Sequence, residues 1–230
     1  MTRKSNEENR KEWVKEQLSQ LPAGTRLLDA GAGEQQYRKY CSHLNYISQD
    51  FSKYNHQELK SGLQMDKWEY GNIDIVSDII SIPQPDSSFD AVLCTEVLEH
   101  VPDPVKAIEE LARLLKRGGK LIITAPFCSM THFAPYHYSS GFNSYYYEYH
   151  LRRLNFSIEL ISFNGNYFDY LDQELRRVDH IALKYNDQKP SWLEYQALKL
   201  VRKMTNRFAR SGNKSEELLT LGIHVTAIKK

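Results

Sequence analysis

Arg26-Leu27-Leu28-Asp29-Ala30-Gly31-Ala32-Gly33 is the stretch that decides how this chain folds. Leu27, Leu28 and Ala30 make a short apolar run that stops at two glycines, the pattern of a buried strand breaking into a tight turn. Such a turn lets the backbone approach a ligand closely, and a helix expected over 35–43 would aim its N-terminal amides there. Outward from this point, 46–50 and 73–78 read as strands that each end in an aspartate. Segments 89–94 and 120–125 read as a fourth and a fifth strand. Between those two, 105–115 repeats apolar residues at helical spacing and is closed by Arg117-Gly118-Gly119. Strands alternating with helices predict a parallel sheet with right-handed crossovers, whose ligands lie at the carboxyl ends of the strands.

The flanks are less regular. Trp13, Val14, Leu18 and Leu21 share one helical face over 5–21, a helix stopped by Pro22. Beyond Pro126 the alternation gives way to a segment that crowds many of the 15 tyrosines between Tyr136 and Tyr149. A helix over 145–154, a strand over 156–163 and a last strand over 219–228 are expected after it. Over 191–210, Leu193, Ala197, Leu200, Val201, Met204 and Phe208 fall on one stripe of a basic amphipathic helix. Lys199, Arg202, Lys203, Arg207 and Arg210 lie mostly off that stripe, which is expected to pack on the protein while the charges face water, contact with anionic lipid, RNA or a glycan carrier being the alternative. The termini and 209–215 read as loose. The whole of 1–230 reads as one domain: an N-terminal helix over 1–22, a cofactor-binding core over 24–127 and an acceptor-side segment over 128–230.

Bulk properties exclude several classes. The 230 residues, 41% of them hydrophobic, can bury one substantial core. Thirty lysines and arginines nearly cancel 29 aspartates and glutamates, so nucleic acid is not the expected partner. Cys41, Cys94 and Cys128 are odd in number and lack metal-ligand spacing, which fits a reducing cytoplasm rather than a disulfide framework. The sequence shows neither a signal-peptide core nor an unbroken apolar span for a membrane crossing, and it carries no signal for oligomeric state.

The candidate site collects at the strand ends. Asp50 is placed to accept hydrogen bonds from both hydroxyls of a ribose, or is an exposed strand-end acid; Asp78 beside Ile79 and Ile80 is placed to accept from an adenine amino group under apolar cover, or forms a turn. Three acids and a glycine loop thus fall on one edge of one sheet.

Residues 28–33, Asp50, Asp78-Ile79 and the run 89–101, with its Thr95-Glu96-Val97-Leu98-Glu99-His100, resemble class I S-adenosylmethionine-dependent methyltransferases. The likeness extends over 24–127 and is greatest to small-molecule enzymes such as ubiquinone-pathway O-methyltransferases. It implies a Rossmann-like α/β fold with seven mostly parallel strands, helices on both faces and an antiparallel last strand. It implies S-adenosyl-L-methionine as methyl donor and S-adenosyl-L-homocysteine as product. Gly31, Ala32 and Gly33 would face the methionine portion, Asp50 with Phe51 the ribose, Asp78 and Ile79 the adenine, and Thr95 or Glu96 the sulfonium. One departure is Glu34-Gln35-Gln36, where many relatives have a further glycine.

Methyl transfer from a sulfonium needs alignment and, for an oxygen acceptor, a base. His132 and His137 follow the fifth strand on the acceptor side, as a base, an acceptor-binding group or ordinary loop histidines. Glu96, Glu99 and His100 would share a face of a helix starting there. They either ligate a divalent ion, together with a downstream histidine such as His137, or cap a helix and orient substrate. Tyrosines nearest His137 are read as lining the acceptor, and Tyr145, Tyr147 and Tyr149 as packing. The acceptor expected is a small biosynthetic metabolite methylated at oxygen or nitrogen, a glycan sugar or a quinone precursor among the options. RNA as acceptor, or a silent cofactor-binding subunit, are the alternatives.

Overall fold

The apolar run of the deciding stretch forms β1 (Arg26–Ala30), buried from Leu27 onward. It lies at the centre of a seven-stranded sheet in a computed structural model that describes residues 5–57, 61–64, 67–211 and 214–230. The other strands are β2 (Asn45–Asp50), β3 (Ile75–Val76), β4 (Phe89–Thr95), β5 (Leu115–Pro126), β6 (Phe156–Asn164) and β7 (Gly222–Lys229). Their order is β3-β2-β1-β4-β5-β7-β6. β1 pairs in parallel with β2 and β4, β2 with β3, and β4 with β5, while β7 runs antiparallel to β5. Strand order reverses at β1, so the crevice beyond the carboxyl ends of β1 and β4 is where such a sheet receives a ligand.

Central strands covered on both faces must be apolar throughout. Leu27, Leu28, Val92, Leu93, Ile122 and Ile123 are all fully buried. One face is covered by α1 (Asn6–Ser19), held at its start by a reciprocal Ser5–Glu8 capping box. Its Val14 and Leu18 join Leu27, Tyr37, Leu93 and Ile122 in one cluster. α2 (Pro104–Leu114) starts on an Asp103 cap with proline at its first position and buries Ala107, Ile108, Leu111 and Leu114. α3 (Ser144–Arg153) buries Tyr147 and Leu151.

The chain divides into two compact units, one of residues 1–162 with 222–230 and one of 163–221. The second unit is a pair of helices, α4 (Tyr167–Asn186) and α5 (Trp192–Ala209). Asp172 on α4 is 5% exposed and accepts from Arg202 Nε and Asn206 Nδ2 of α5, each at 3.0 Å, and from Arg176 Nε at 2.8 Å. Asn166, the cap of α4, donates to the Ala209 carbonyl at the end of α5 at 3.1 Å.

Several expectations are corrected. No α-helix forms over 35–43; Gln35 takes a left-handed φ of 55°, and only a 3-10 turn at Arg38–Tyr40 follows. β3 is two residues long instead of six. The helix α4 was not anticipated, although Phe168, Leu171, Leu175, Val178 and Ala182 follow helical spacing behind an Asn166–Asp169 capping box. The expected packing of the α5 stripe is reversed. Thr205 and Ala209 are the buried residues of α5, while Leu193 and Leu200 face solvent. Tyr147 packs as expected, but Tyr145 and Tyr149 project outward because they sit two residues to either side of it on α3. Within the loose segments expected at the amino terminus and over 209–215, residues 1–4 and 212–213 lie outside the described residues.

Replacing Asp172 by alanine removes the acceptor shared by both helices of the second unit. Its stability is expected to fall by about 2 kcal/mol. The readout is faster amide hydrogen exchange over 167–209, with exchange in β1, β4 and β5 unchanged.

Candidate functional site

The glycine loop is held by the end of β2. The Gln49 carbonyl accepts from Gly31 N–H at 2.9 Å and Ala32 N–H at 2.8 Å, and Asp50 Oδ2 accepts from Gly33 N–H at 2.8 Å. Three successive loop amides are therefore spent inside the protein, and no α-helix supplies others behind them. The loop offers a ligand shape and close approach instead of free amides, which corrects the expectation of helix-terminal donors. Gly31 and Gly33 have φ of 74° and 52°, a region glycine enters without strain. A Cβ on Gly31 would collide with Val97, and one on Gly33 would stand 2.8 Å from the Trp68 ring.

Asp50 is 5% exposed, and its Oδ1 accepts from Ser52 N–H at 2.8 Å. Both carboxylate oxygens thus take backbone donors, which fix the orientation of the carboxylate at the strand end. Burial raises its pKa, and the backbone donors of Ser52, Gly33 and Phe51 work against that rise. Asp29 is 1% exposed, and its Oδ2 accepts from the Tyr46 hydroxyl at 2.6 Å. Burial pushes the Asp29 carboxyl up to about 7, against the Tyr46 hydrogen bond and with help from Asp50. Its Oδ1 has no partner among the described residues.

Thr95 is buried at the end of β4, and Glu96 follows with a left-handed φ of 53°. That turn prevents the helix expected to start there, so Glu96 does not share a face with Glu99 and His100. Glu96 Oε1 accepts from Thr124 at 3.0 Å, and Oε2 pairs with Arg10 of α1 at 2.8 Å. Glu99 and His100 lie on a 3-10 turn, Leu98–His100.

Glu99, His100 and His132 bring their ligand atoms within 4.8 Å of one another. Glu99 is 0% exposed, its Oε1 lies 3.6 Å from His100 Nε2, and neither carboxylate oxygen has a hydrogen-bond partner among the described residues. Burial, then the nearby Glu96, raise its pKa well above the usual carboxylate range. His100 Nδ1 lies 2.5 Å from the Tyr136 carbonyl and His132 Nδ1 2.8 Å from that of Met130. A carbonyl only accepts, so Nδ1 of each ring carries a hydrogen. Burial pushes His100 down to about 3, so it stays neutral at physiological pH. A neutral His100 and a buried carboxyl without a hydrogen bond form a centre that needs either a proton or a cation. His137 is beside this trio but outside it. Its ring centroid is 4.8 Å from that of His132 and 6.0 Å from that of His100, and its Nε2 lies 3.3 Å from the Ser129 hydroxyl.

Phe51 meets Tyr136 edge-on at 4.9 Å. Ile79 is buried, whereas Asp78 is exposed, two residues past β3, and accepts from Ile80 N–H at 3.1 Å. Sequence reasoning missed Arg10 and an aromatic group above the loop. Tyr54 stacks on Phe133 at 4.1 Å, and Trp68 meets Phe133 edge-on at 4.8 Å. A bridge between Leu63 and His132 ties this group to the segment carrying the histidines. The helical spacing of Arg10 on α1 was visible, but its partner 86 residues away was not.

Residues 28–123 match the methyltransferase domain family. A ubiquinone biosynthesis O-methyltransferase from Xanthomonas axonopodis pv. citri (strain 306) is 36% identical over 122 residues, 50% of this chain and 48% of that protein. A protein of the same name from Xylella fastidiosa (strain M23) is 42% identical over 66 residues, 29% of this chain and 24% of its own. The chain thus matches about half the length, or less, of these curated relatives. The fold is shared with the [4+2]-cyclase SpnF at a TM-score of 0.56 and 18% identity, covering 99% of this chain and 83% of that one. It is also shared with phosphoethanolamine N-methyltransferase 2 of Haemonchus contortus, solved with S-adenosyl-L-methionine, at 0.53 and 19%, covering 96% and 52%.

The Asp29 carboxyl gives a pH signature. Its folded pKa of about 7 lies above the ordinary 3.8, so folding is not penalised below about pH 4. The penalty grows through the interval between the two values and is complete above the higher one. Asn at this position removes it. Asp29→Asn is expected to leave stability unchanged at pH 4 and to raise it at pH 8, by up to about 4 kcal/mol at roughly 1.4 kcal/mol per pKa unit. Urea unfolding at both pH values measures this.

Proposed function

We propose that this chain, whose residues 28–123 match the methyltransferase domain family, is an S-adenosylmethionine-dependent methyltransferase acting on a small biosynthetic metabolite in the cytoplasm. The observation that carries the reading is the β2 end: Gln49 and Asp50 fix the glycine loop, and the Gly33 and Ser52 amides hold the buried Asp50 carboxylate in a set orientation. A carboxylate so held suits two vicinal hydroxyls of a ribose, with Phe51 alongside. Gly31, Ala32 and Gly33 face the methionine portion, Ile79 covers the adenine, and Asp78 approaches the adenine amino group from the exposed side. When bound, S-adenosylmethionine supplies the electrophilic methyl carbon. Thr95 and Glu96 stand at the end of β4, where the sulfonium lies, and the Arg10 pair fixes the Glu96 side chain there.

Glu99, His100 and His132 suit a divalent ion of borderline softness. Their ligand atoms lie within 4.8 Å of one another, and the buried Glu99 carboxyl, without a hydrogen bond among the described residues, sits 3.6 Å from His100 Nε2, which supports that fit. A bound ion would lower the pKa of an acceptor hydroxyl and orient it. His137, outside the ligand set, then acts as the general base. The acceptor is an oxygen or nitrogen of a compact molecule such as a sugar or a quinone precursor. Near-zero net charge speaks against RNA, and the three free cysteines fit a reducing compartment.

Purified protein, radiolabelled methyl donor and fractionated cell extract test the assignment. Label is expected in the small-molecule fraction. Label in RNA overturns the acceptor, and donor binding without transfer to any fraction overturns the activity. Chelation is expected to reduce transfer at least about tenfold, with recovery on adding magnesium or manganese and loss of that response in Glu99→Gln. Transfer indifferent to chelator overturns the ion. His137→Ala is expected to lower kcat by roughly 10²-fold or more with little change in donor affinity.

A further inference from the structure

The second unit carries an amphipathic helix that packs through its polar side. α5 contacts α4 through Arg202 and Asn206 and buries Thr205 and Ala209, positions that recur on one face. Leu193, Ala197, Leu200, Val201 and Met204 occupy a different stripe, and it is open to water, while Phe208 at its end lies against Phe168 of α4 with ring centroids 5.2 Å apart. Leu193 is 72% exposed, Leu200 70%, Met204 42% and Val201 38%. A stripe of this size left exposed on a monomer marks a surface for a partner. Trp192, also 72% exposed, stands at the head of the helix, and Leu183 and Tyr185 are exposed near the end of α4, at the same turn of the hairpin.

The charges say which partner. Lys199, Lys203, Arg207 and Arg210 lie along one flank of the stripe at helical spacing, and none of them pairs with an acid among the described residues. The single acid of α5, Glu194, is used at its start by the Ser191 capping box. A second copy of the helix would bring its own basic flank and no acids to meet the first, so self-association leaves these charges unmatched. An anionic surface with an apolar layer beneath it matches both features at once. Trp and Leu enter the boundary while lysines and arginines reach headgroup phosphates. Among the described residues no helix is long and apolar enough to cross a membrane, so the contact is peripheral.

We propose that α5, with the tip of the α4–α5 hairpin, docks the chain on an anionic lipid surface. Methyl transfer in the first unit is a separate matter, and docking holds whether or not that reading stands. The full-length chain is sedimented with vesicles of phosphatidylcholine alone or with 30% phosphatidylglycerol (about that fraction suffices to set the surface potential). Partition is expected to rise at least about tenfold on the anionic vesicles, to weaken with salt, and to shift Trp192 emission to the blue. The emission shift should vanish in Trp192→Phe. Leu193→Ser with Leu200→Ser, and separately Lys199→Ser with Lys203→Ser, are expected to lower partition by about tenfold or more. These positions face water, so thermal midpoints should not move. Leu200→Gln alone, the mildest change, serves if a double variant does not fold. Absence of partition overturns the proposal. So does partition untouched by the stripe and charge variants, binding of RNA in place of vesicles, or a dimer that Leu200→Gln separates.

Discussion

Three consecutive backbone amides, those of Gly31, Ala32 and Gly33, must find acceptors as the chain leaves β1, and the last two residues of β2 provide them. This constraint organises the first unit. It fixes the register of β1 on β2, since Ala30 must lie beside Gln49 for the carbonyl to reach both amides. It forces left-handed backbone at both glycines and continues into a left-handed Gln35, which is why no α-helix follows. It also buries the Asp50 carboxylate in a fixed orientation beside Asp29. Two buried acids near one loop are costly, and the raised pKa of Asp29 records that cost.

Chemistry of a different kind gathers a few residues further along the sheet edge. Glu96 is satisfied by Arg10 and Thr124, so its charge is spent on holding α1 to the end of β4. Glu99 has no such partner, and the two histidines nearest it have their Nδ1 hydrogens committed to backbone carbonyls. One glutamate of the pair thus builds the wall, and the other faces a centre that asks for positive charge. The segment carrying His132 and Phe133 is tied to Leu63, so the aromatic cover over the glycine loop and the histidine centre are parts of one assembly.

How much of this was legible follows from the range of each interaction. β1, β2, β4 and the helix α2 declare themselves through local apolar runs, glycines and caps, and the structure places them within a residue or two of expectation. The strand-end aspartates at 29 and 50 were visible for the same reason. Asp78 was placed at a strand end by pattern, but β3 pairs through only two residues and leaves it exposed. The identity of the histidine beside Glu99 and His100 depends on how the loop after β5 returns, which sequence spacing does not encode; hence His132 and not His137 completes the group. Arg10 was hidden because its partner is far away in sequence. The α5 stripe misled for another reason. Periodicity reports that a helix has two faces, and the buried network around Asp172 decided which one turned inward.

Calorimetric titration of the full chain with S-adenosyl-L-homocysteine tests the central claim most directly, with Asp50→Ala as its comparison. One site per chain is expected in the unaltered protein. Its affinity should fall by tenfold or more (about 1.4 kcal/mol) in the variant, because both ribose acceptors are lost and the Gly33 amide is released. No binding by the unaltered chain, or equal affinity in the two proteins, would contradict it.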